Sequence, residues 1–382
     1  MRRSGRVENS FLAAAGLIAP ECRHEEHPVV ILEKIESLAL NFVYDLMSGC
    51  SDGVFHMVNR TYANAVHEEA SGALLLGDKI TVRKFNAQTA VSVSRMLQVV
   101  ASVQQLLLSG RRVSQRELYY RLIDSFDSQA QLNNMVLDVS ALFRAPRYAL
   151  NIGAATRGVI AGNLCIAITG SPYKVDCEHV GPNGWPIPGD VRIALSAIIA
   201  SSANYILAVI EKFGIFTRLV QDKFYNKLPC ILICGKGYPA VATRAMTWLL
   251  ASRLRIPVLG LADFNPHGAC LLQCYRRGSV RSGVEGSRFV CDLRWLGLRS
   301  SHIATHSYIG ACGEELTSRD LAIIRGLQRN HPVFSENVAF VKELEAMKEL
   351  GKYELQWLYG HSTGSDFLQQ FVLNAILHSD YL

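Results

Sequence analysis

Apolar residues recur at two different spacings along this chain. In residues 30–47, 87–108, 115–126 and about 129–143 they return every three or four positions, which predicts four helices. Residues 148–152 and 159–168 are instead short apolar runs separated by a turn, which predicts the two strands of a hairpin. Three helices followed by a hairpin is the order of a winged helix, which we place in residues 81–170.

A change of composition follows. Residues 170–189 hold four prolines and several glycines with little periodicity, so we interpret 171–198 as a linker. After residue 199, apolar runs at 205–210, 230–234 and 257–262 alternate with helical stretches. Repeated strand–helix units of this length are typical of a parallel sheet covered by helices. The predicted fold class is therefore a multidomain α/β and α+β protein. Residues 1–80 are predicted to be an N-terminal arm with an amphipathic helix at 30–47, which either packs on the first domain or docks a partner.

Polar side chains follow two of the predicted parallel strands. Glu211 comes directly after one strand, and Asp263 and Asn265 come after another. Sites in parallel sheets gather at the carboxyl ends of strands, and oxygen ligands of this kind suit Mg²⁺. The alternatives are an ion pair of Glu211 with Lys212 and a helix cap at Asp263 or Asn265.

The stretch from Ser114 to Arg121 opens a predicted helix. Ser114 can cap its first turn, and Glu117 stands at the position of a capping box. Arg116 and Tyr120 are four residues apart and therefore share a helix face. A guanidinium beside a phenol can bind a phosphate and favour the phenolate, which suits a tyrosine that attacks a phosphodiester. The alternative is that Tyr119 and Tyr120 are ordinary helix aromatics.

Charge changes this picture more by its distribution than by its total of +6. No acidic residue lies between Asp78 and Glu117, whereas seven basic residues do, Arg111 and Arg112 among them. This one-sided stretch favours a surface that faces phosphate, with a merely solvated basic face as the alternative.

The ten cysteines form no disulfide-like framework, which indicates a reducing compartment. Two C-x3-C pairs raise the question of zinc, but Cys230 and Cys234 fall in an apolar run and are predicted to be structural strand residues. We find no apolar run of the roughly 20 residues that cross a membrane. Residues 1–20 are either a targeting segment or a loosely packed arm.

Seven short stretches, taken in order, resemble motifs of one family: the A subunit of DNA topoisomerase VI and its meiotic relatives, which make the double-strand breaks that start recombination. They are Arg116 to Tyr120, Gly158 to Leu164, Val209 to Lys212, Gly235 to Pro239 with Thr243-Arg244, Asp263 to Gly268, Arg294 to Leu298, and Leu316 to Asp320. The resemblance extends from about residue 30 to the end, and the last two stretches fit the meiotic branch better.

This resemblance implies a winged-helix domain followed by a Toprim metal-binding domain in 199–382. It implies that Tyr120 attacks double-stranded DNA and stays joined to the 5′-phosphate, with Arg116 assisting and Glu211, Asp263 and Asn265 holding Mg²⁺. Arg157 and Lys236 would join Arg111 and Arg112 in binding DNA.

The resemblance further implies a nuclear homodimer in which each tyrosine works with the partner's metal. A B-type ATPase subunit would dock on residues 30–47, and no membrane is involved. Two positions depart from the family: Asn265 replaces a frequent aspartate, and Arg157 replaces a usual lysine. Alternative functions are strand passage by a topoisomerase VI A-type protein, a Toprim nuclease without a covalent step, and a non-catalytic DNA-binding dimer subunit.

Overall fold

The computed structural model describes residues 27–49, 53–68, 71–154, 156–168, 173–305, 313–329, 337–359 and 367–382. The chain divides into two compact units, and both are discontinuous in sequence. Unit 1 comprises residues 1–155, 189–192 and 278–288, and unit 2 comprises 156–188, 193–277 and 289–382. The expectation of a targeting segment in residues 1–20 lies outside the described residues.

Unit 1 is built from four main helices and three small pairs of strands. Its elements are α1 (Pro28–Ser48), β1 (Val54–Val58), β2 (Ala65–His67), β3 (Leu74–Leu76), β4 (Ile80–Lys84), α2 (Ala90–Ser109), β5 (Val113–Ser114), α3 (Gln115–Arg121), α4 (Gln129–Phe143) and β6 (Ile152–Gly153). β1 pairs antiparallel with β4, β2 pairs antiparallel with β3, and β5 pairs parallel with β6.

Helix α2 has a buried apolar stripe. Val93, Met96, Val99 and Val103 recur at helical spacing and are all buried. By length and composition alone α2 could cross a membrane. Its buried stripe, packed against α1 and α4, is instead typical of a core helix.

The prediction of a hairpin in residues 148–168 is wrong. Its first half ends in β6, which pairs with β5 in unit 1, and its second half begins with β7 (Val159–Gly162), which joins the large sheet of unit 2. All four residues of β7 are buried, as suits a strand covered on both faces rather than an exposed wing. The winged-helix assignment therefore stays a prediction that rests on the three helices.

Unit 2 contains a six-stranded sheet. Strands β12 (Tyr205–Ile210), β13 (Cys230–Cys234), β14 (Val258–Leu261) and β15 (Leu293–Gly297) run parallel. β7 and β10 (Trp185–Pro186) add an antiparallel edge, so the order of the strands is β10-β7-β13-β12-β14-β15. The parallel sheet is confirmed, and Cys230 and Cys234 are buried within β13 as predicted.

The remaining elements of unit 2 are not part of this sheet. They are β8 (Leu164–Ile168), β9 (Lys174–Asp176), α5 (Val191–Leu195, which begins in unit 1), β11 (Ala197–Ser201), α6 (Phe213–Gln221), α7 (Phe224–Lys227), α8 (Val241–Leu254), α9 (Pro266–Arg277), α10 (Ser300–Thr305), α11 (Ser318–Arg329), α12 (Val338–Leu350) and α13 (Phe367–Leu377). β8 pairs with β9 and β11 in an antiparallel sheet. The stretch expected to be a linker, 171–198, thus contains strands in its described part.

Candidate active site

A short helix in unit 1 presents the candidate nucleophile. The Ser114 hydroxyl accepts the Glu117 N–H at 3.1 Å, so the predicted N-cap of α3 is confirmed. The Glu117 carboxylate does not close the capping box but accepts Arg121 Nη2 at 2.6 Å. Leu118 is completely buried and anchors the helix, whereas Tyr120 is 61% exposed. The local sequence therefore holds the Tyr120 phenol at the surface of unit 1.

The other predicted residues of unit 1 differ in their surroundings. Arg116 is exposed on α3, and Tyr119 is half-buried with its ring centroid 5.9 Å from that of Tyr120. Arg111 is exposed, while Arg112 pairs with Asp190 at 2.5 Å. The basic surface near α3 is thus partly neutralised by an acid from a distant stretch of sequence.

In unit 2 the predicted carboxylates meet at the ends of two neighbouring strands. Glu211 follows β12 and Asp263 follows β14, and the Glu211 carboxylate accepts the Asp263 N–H at 3.0 Å. The Asp263 carboxylate accepts a second backbone hydrogen bond, from the Leu355 N–H at 2.8 Å. These bonds fix both carboxylates, and Asp263 is only 3% exposed.

The charges of this pair are incompletely balanced. Lys212 Nζ lies 3.2 Å from Asp263 Oδ2 and 3.2 Å from Glu354 Oε1. Burial, reinforced by repulsion from Asp263, raises the pKa of Glu211 to about 7. Burial also raises the pKa of Asp263, against the lowering effects of the Leu355 hydrogen bond and Lys212. One ammonium serves three carboxylates, which leaves a surplus of negative charge.

Asn265 takes part in local structure at the start of α9. Its side-chain oxygen accepts the Gly268 N–H at 2.7 Å, and its backbone carbonyl accepts the Ala269 N–H. This is the helix cap considered as an alternative from the sequence. The same oxygen keeps a second lone pair, so the cap does not exclude a ligand role.

The donors present fit a magnesium ion. Glu211 and Asp263 offer hard oxygen ligands whose surplus charge a divalent cation would offset. In the part of the chain that the structure describes, no group of three or more His, Cys, Asp or Glu side chains is arranged to hold a metal. An ion here would therefore keep water or substrate oxygens in its remaining positions, as Mg²⁺ commonly does.

The predicted site residues thus form two groups. Glu211, Asp263 and Asn265 lie together in unit 2, and Tyr120 and Arg116 lie together on α3 of unit 1. Lys236, in the turn after β13, places its ammonium 4.2 Å from the centre of the Phe213 ring, and Arg157 is exposed. The sequence did not reveal Glu354, which lies beside Lys212, or the Leu355 N–H, which donates to Asp263, because no local pattern links residues so far apart along the chain.

Comparison with known proteins finds two family models that match this chain. Residues 205–376 match the model described as the Toprim domain of the topoisomerase 6 A subunit and Spo11, and residues 92–152 match that of type IIB DNA topoisomerase. The first match contains Glu211, Asp263 and Asn265, and the second contains Arg116 and Tyr120.

Three similar proteins cover most of the chain. The meiotic recombination protein SPO11-2 of Arabidopsis thaliana is 36% identical over 78% of this chain and 77% of its own length. That of Oryza sativa subsp. japonica is 33% identical over 93% and 94%. The A subunit of DNA topoisomerase 6 from Arabidopsis thaliana is 30% identical over 89% of this chain and 78% of its own length.

Proposed function

Because the chain belongs to the family of Spo11 and the topoisomerase VI A subunit, we propose that it cleaves both strands of DNA by transesterification and so initiates meiotic recombination in the nucleus. The observation that carries this proposal is the exposed Tyr120 phenol on a capped helix that Leu118 anchors. An aromatic side chain of a purely structural helix would more often be packed, as Tyr119 partly is.

The chemistry needs no outside energy. The Tyr120 phenol gives up its proton to solvent as its oxygen attacks a backbone phosphorus, and a new phosphorus–oxygen bond joins the enzyme to the 5′-phosphate. The bond to the 3′-oxygen of the neighbouring sugar breaks, and that oxygen takes up a proton. Arg116, which spacing puts on the same face of α3, would orient the phosphate by charge-assisted hydrogen bonds. One phosphodiester is exchanged for another, so the bond energy is conserved in the protein–DNA link.

Glu211 and Asp263 would hold Mg²⁺, with Asn265 as a weaker third donor. The ion supplies electrostatic stabilisation of charge on the phosphate and the leaving oxygen when it is bound. Lys212 and the Leu355 N–H keep Asp263 in place for that role. Arg111, Arg112, Arg157 and Lys236 would contact the DNA backbone.

Helix α1 supports a second part of the proposal, the docking of a B-type ATPase subunit. Ile31 and Ile35 pack into unit 1, but Leu40, Tyr44 and Met47 are each more than 70% exposed. An apolar helix face of this kind suits a partner helix or groove. Tyr44→Asp should abolish binding of the purified B-type subunit, and unchanged binding would count against docking at α1.

The covalent link provides the decisive test of the enzyme assignment. Wild-type protein should yield 5′-linked protein–DNA adducts after rapid denaturation, Tyr120→Phe should yield none, and Tyr119→Phe should retain them. Normal adducts from Tyr120→Phe would refute the assignment of the nucleophile. Cleavage by Tyr120→Phe without adducts would instead favour a Toprim nuclease, and no cleavage by any form would favour a non-catalytic DNA-binding role.

A further inference from the structure

Unit 1 contains a cavity of about 430 Å³ that the proposed chemistry does not use. Its polar lining comes from the residues that follow β1, from β4, from α4 and from the 278–288 stretch, and none of the described lining residues belongs to α3. The polar residues of its lining include Asn59, Arg60, Arg83, Asn134, Asp138 and Arg281.

The charges around this cavity do not balance. Arg60 and Arg83 both pair with Asp138, at 2.5 and 2.9 Å, and each of the three side chains is only about one-fifth exposed. Arg281 adds a third guanidinium at the rim, and the structure's described residues give it no ion-pair partner. The two half-buried guanidinium groups share a single carboxylate, so a net positive charge remains at partly buried positions, which favours an anion in the cavity.

The two inner arginines are held in place from several sides. Arg60 Nη1 donates to the Arg281 carbonyl at 3.4 Å, and its side chain lies against Gly283, where a Cβ would come within 3.0 Å of Cδ. Arg83 Nη1 faces the sulfur atoms of Met96 and Met135, which are weak acceptors. These guanidinium groups are therefore positioned in advance of any ligand and retain capacity to donate hydrogen bonds.

We infer that this cavity binds a backbone phosphate of duplex DNA, at a site separate from the cleavage centre on α3. Planar guanidinium groups match phosphate oxygens in pairs. Among the described residues no aromatic side chain lines the cavity, so a free nucleotide would find no surface on which to stack its base. Arg83 also belongs to the acid-free stretch, which extends the positive surface. The inference rests on the proposed function only in taking DNA as the ligand.

The test measures binding of the full chain to a random-sequence duplex over a series of salt concentrations, in a Tyr120→Phe background that prevents cleavage. Arg281→Ala should weaken binding at every sequence and reduce the slope of log affinity against log salt by about one. Arg325→Ala, which removes an exposed arginine from α11, is the matched control and should leave the slope unchanged.

A second variant reverses the sign of the effect. Asp138→Asn removes the carboxylate that pairs with both inner arginines, so it should tighten duplex binding severalfold. Asp127→Asn is its control, because it removes a more exposed carboxylate that pairs with Arg95, and it should have a smaller effect on duplex binding. Thermal unfolding identifies any loss of folding. Arg281→Ala remains informative in that case, because Arg281 is exposed.

Calorimetry of the binding of inorganic phosphate and of AMP distinguishes the possible sources of the anion. Arginine-dependent binding of AMP with an unchanged DNA slope would overturn the inference in favour of a nucleotide site. Unchanged DNA binding in both cavity variants would overturn it as well. Failure of the proposed function looks different, since wild type would then form no adducts while Arg281→Ala still altered the slope.

Discussion

At the scale of single residues, Glu211 shows that ionising a buried carboxyl at the candidate metal site is unfavourable. Burial and the neighbouring Asp263 raise its pKa from 4.5 to about 7, so the folded protein holds this proton more tightly than the unfolded chain does. The contribution of Glu211 to stability is complete below about pH 4.5 and is lost as the pH rises through about 7. A bound cation would restore this contribution to stability.

This argument predicts a pH-dependent effect of Glu211→Gln in metal-free protein. The variant cannot ionise at this position, so its free energy of unfolding should rise relative to that of wild type between pH 4.5 and 7. Above that range the difference between the two should stay constant. Urea denaturation in EDTA at a series of pH values measures the difference. Adding Mg²⁺ at neutral pH should stabilise wild type and have little effect on the variant.

Glu349→Gln is the control, because Glu349 is an exposed carboxyl on α12. Its free energy of unfolding should follow that of wild type across the same range. If the free energies of unfolding of Glu211→Gln and wild type differed by the same amount at every pH, ionisation of Glu211 would not destabilise the folded protein, contrary to the prediction.

The sequence predicts single residues well where a local pattern identifies them. The Ser114 cap is one such case, since the hydroxyl and the N–H that it accepts are three positions apart. Contacts between distant residues leave no such pattern. Glu354 beside Lys212 and Arg281 beside Arg60 depend on the folded chain, so only the structure reveals them.

At the scale of elements, the first turn of α9 packs against the backbone of Asp263 and so helps to position it. A Cβ on Gly268 would lie 2.2 Å from the Asp263 carbonyl oxygen, a contact with backbone that no flexible side chain can relieve. Gly268→Ala should therefore destabilise the protein by about 1–3 kcal/mol and weaken Mg²⁺-induced stabilisation. Thermal unfolding with and without Mg²⁺ measures both effects.

Gly326→Ala provides the comparison in α11. Nothing lies within 4 Å of a Cβ there, so the change should be neutral or slightly stabilising, because alanine favours a helix. Equal destabilisation by the two variants would show that close packing at Gly268 is not the cause.

The elements also show where pattern and pairing differ. The apolar runs predict β13 and β14 correctly, because a parallel strand that is buried on both faces is apolar on both faces. The same property was misleading for β7, whose apolar run was assigned to a hairpin although it pairs with β13. A run of buried residues identifies a strand, but it does not specify the partner strand.

At the scale of the whole molecule, the homodimer that the sequence resemblance implies predicts complementation between two inactive variants. If each tyrosine works with the partner's carboxylates, a mixed dimer of Tyr120→Phe and Glu211→Ala contains one intact site and one doubly defective site. It should therefore form adducts on one strand of a duplex and leave the other strand uncut. Gel analysis of strand-labelled duplex with tagged mixed dimers measures this.

Homodimers of either variant serve as controls and should form no adducts. A mixed dimer that is equally inactive would mean that tyrosine and carboxylates act within one chain. Cleavage of both strands would mean that a group other than Tyr120 can act as the nucleophile.

The discontinuity of unit 1 has a practical consequence for exchanging modules between relatives. The stretch Gly278–Arg288 lies far along the chain but belongs to unit 1, where Glu285 is 1% exposed and pairs with Arg147. A hybrid joined at residue 155 would place Arg147 from one parent against position 285 from the other. Chimaeras should therefore exchange 278–288 together with the N-terminal part, since the inserted stretch is part of the fold that presents Tyr120.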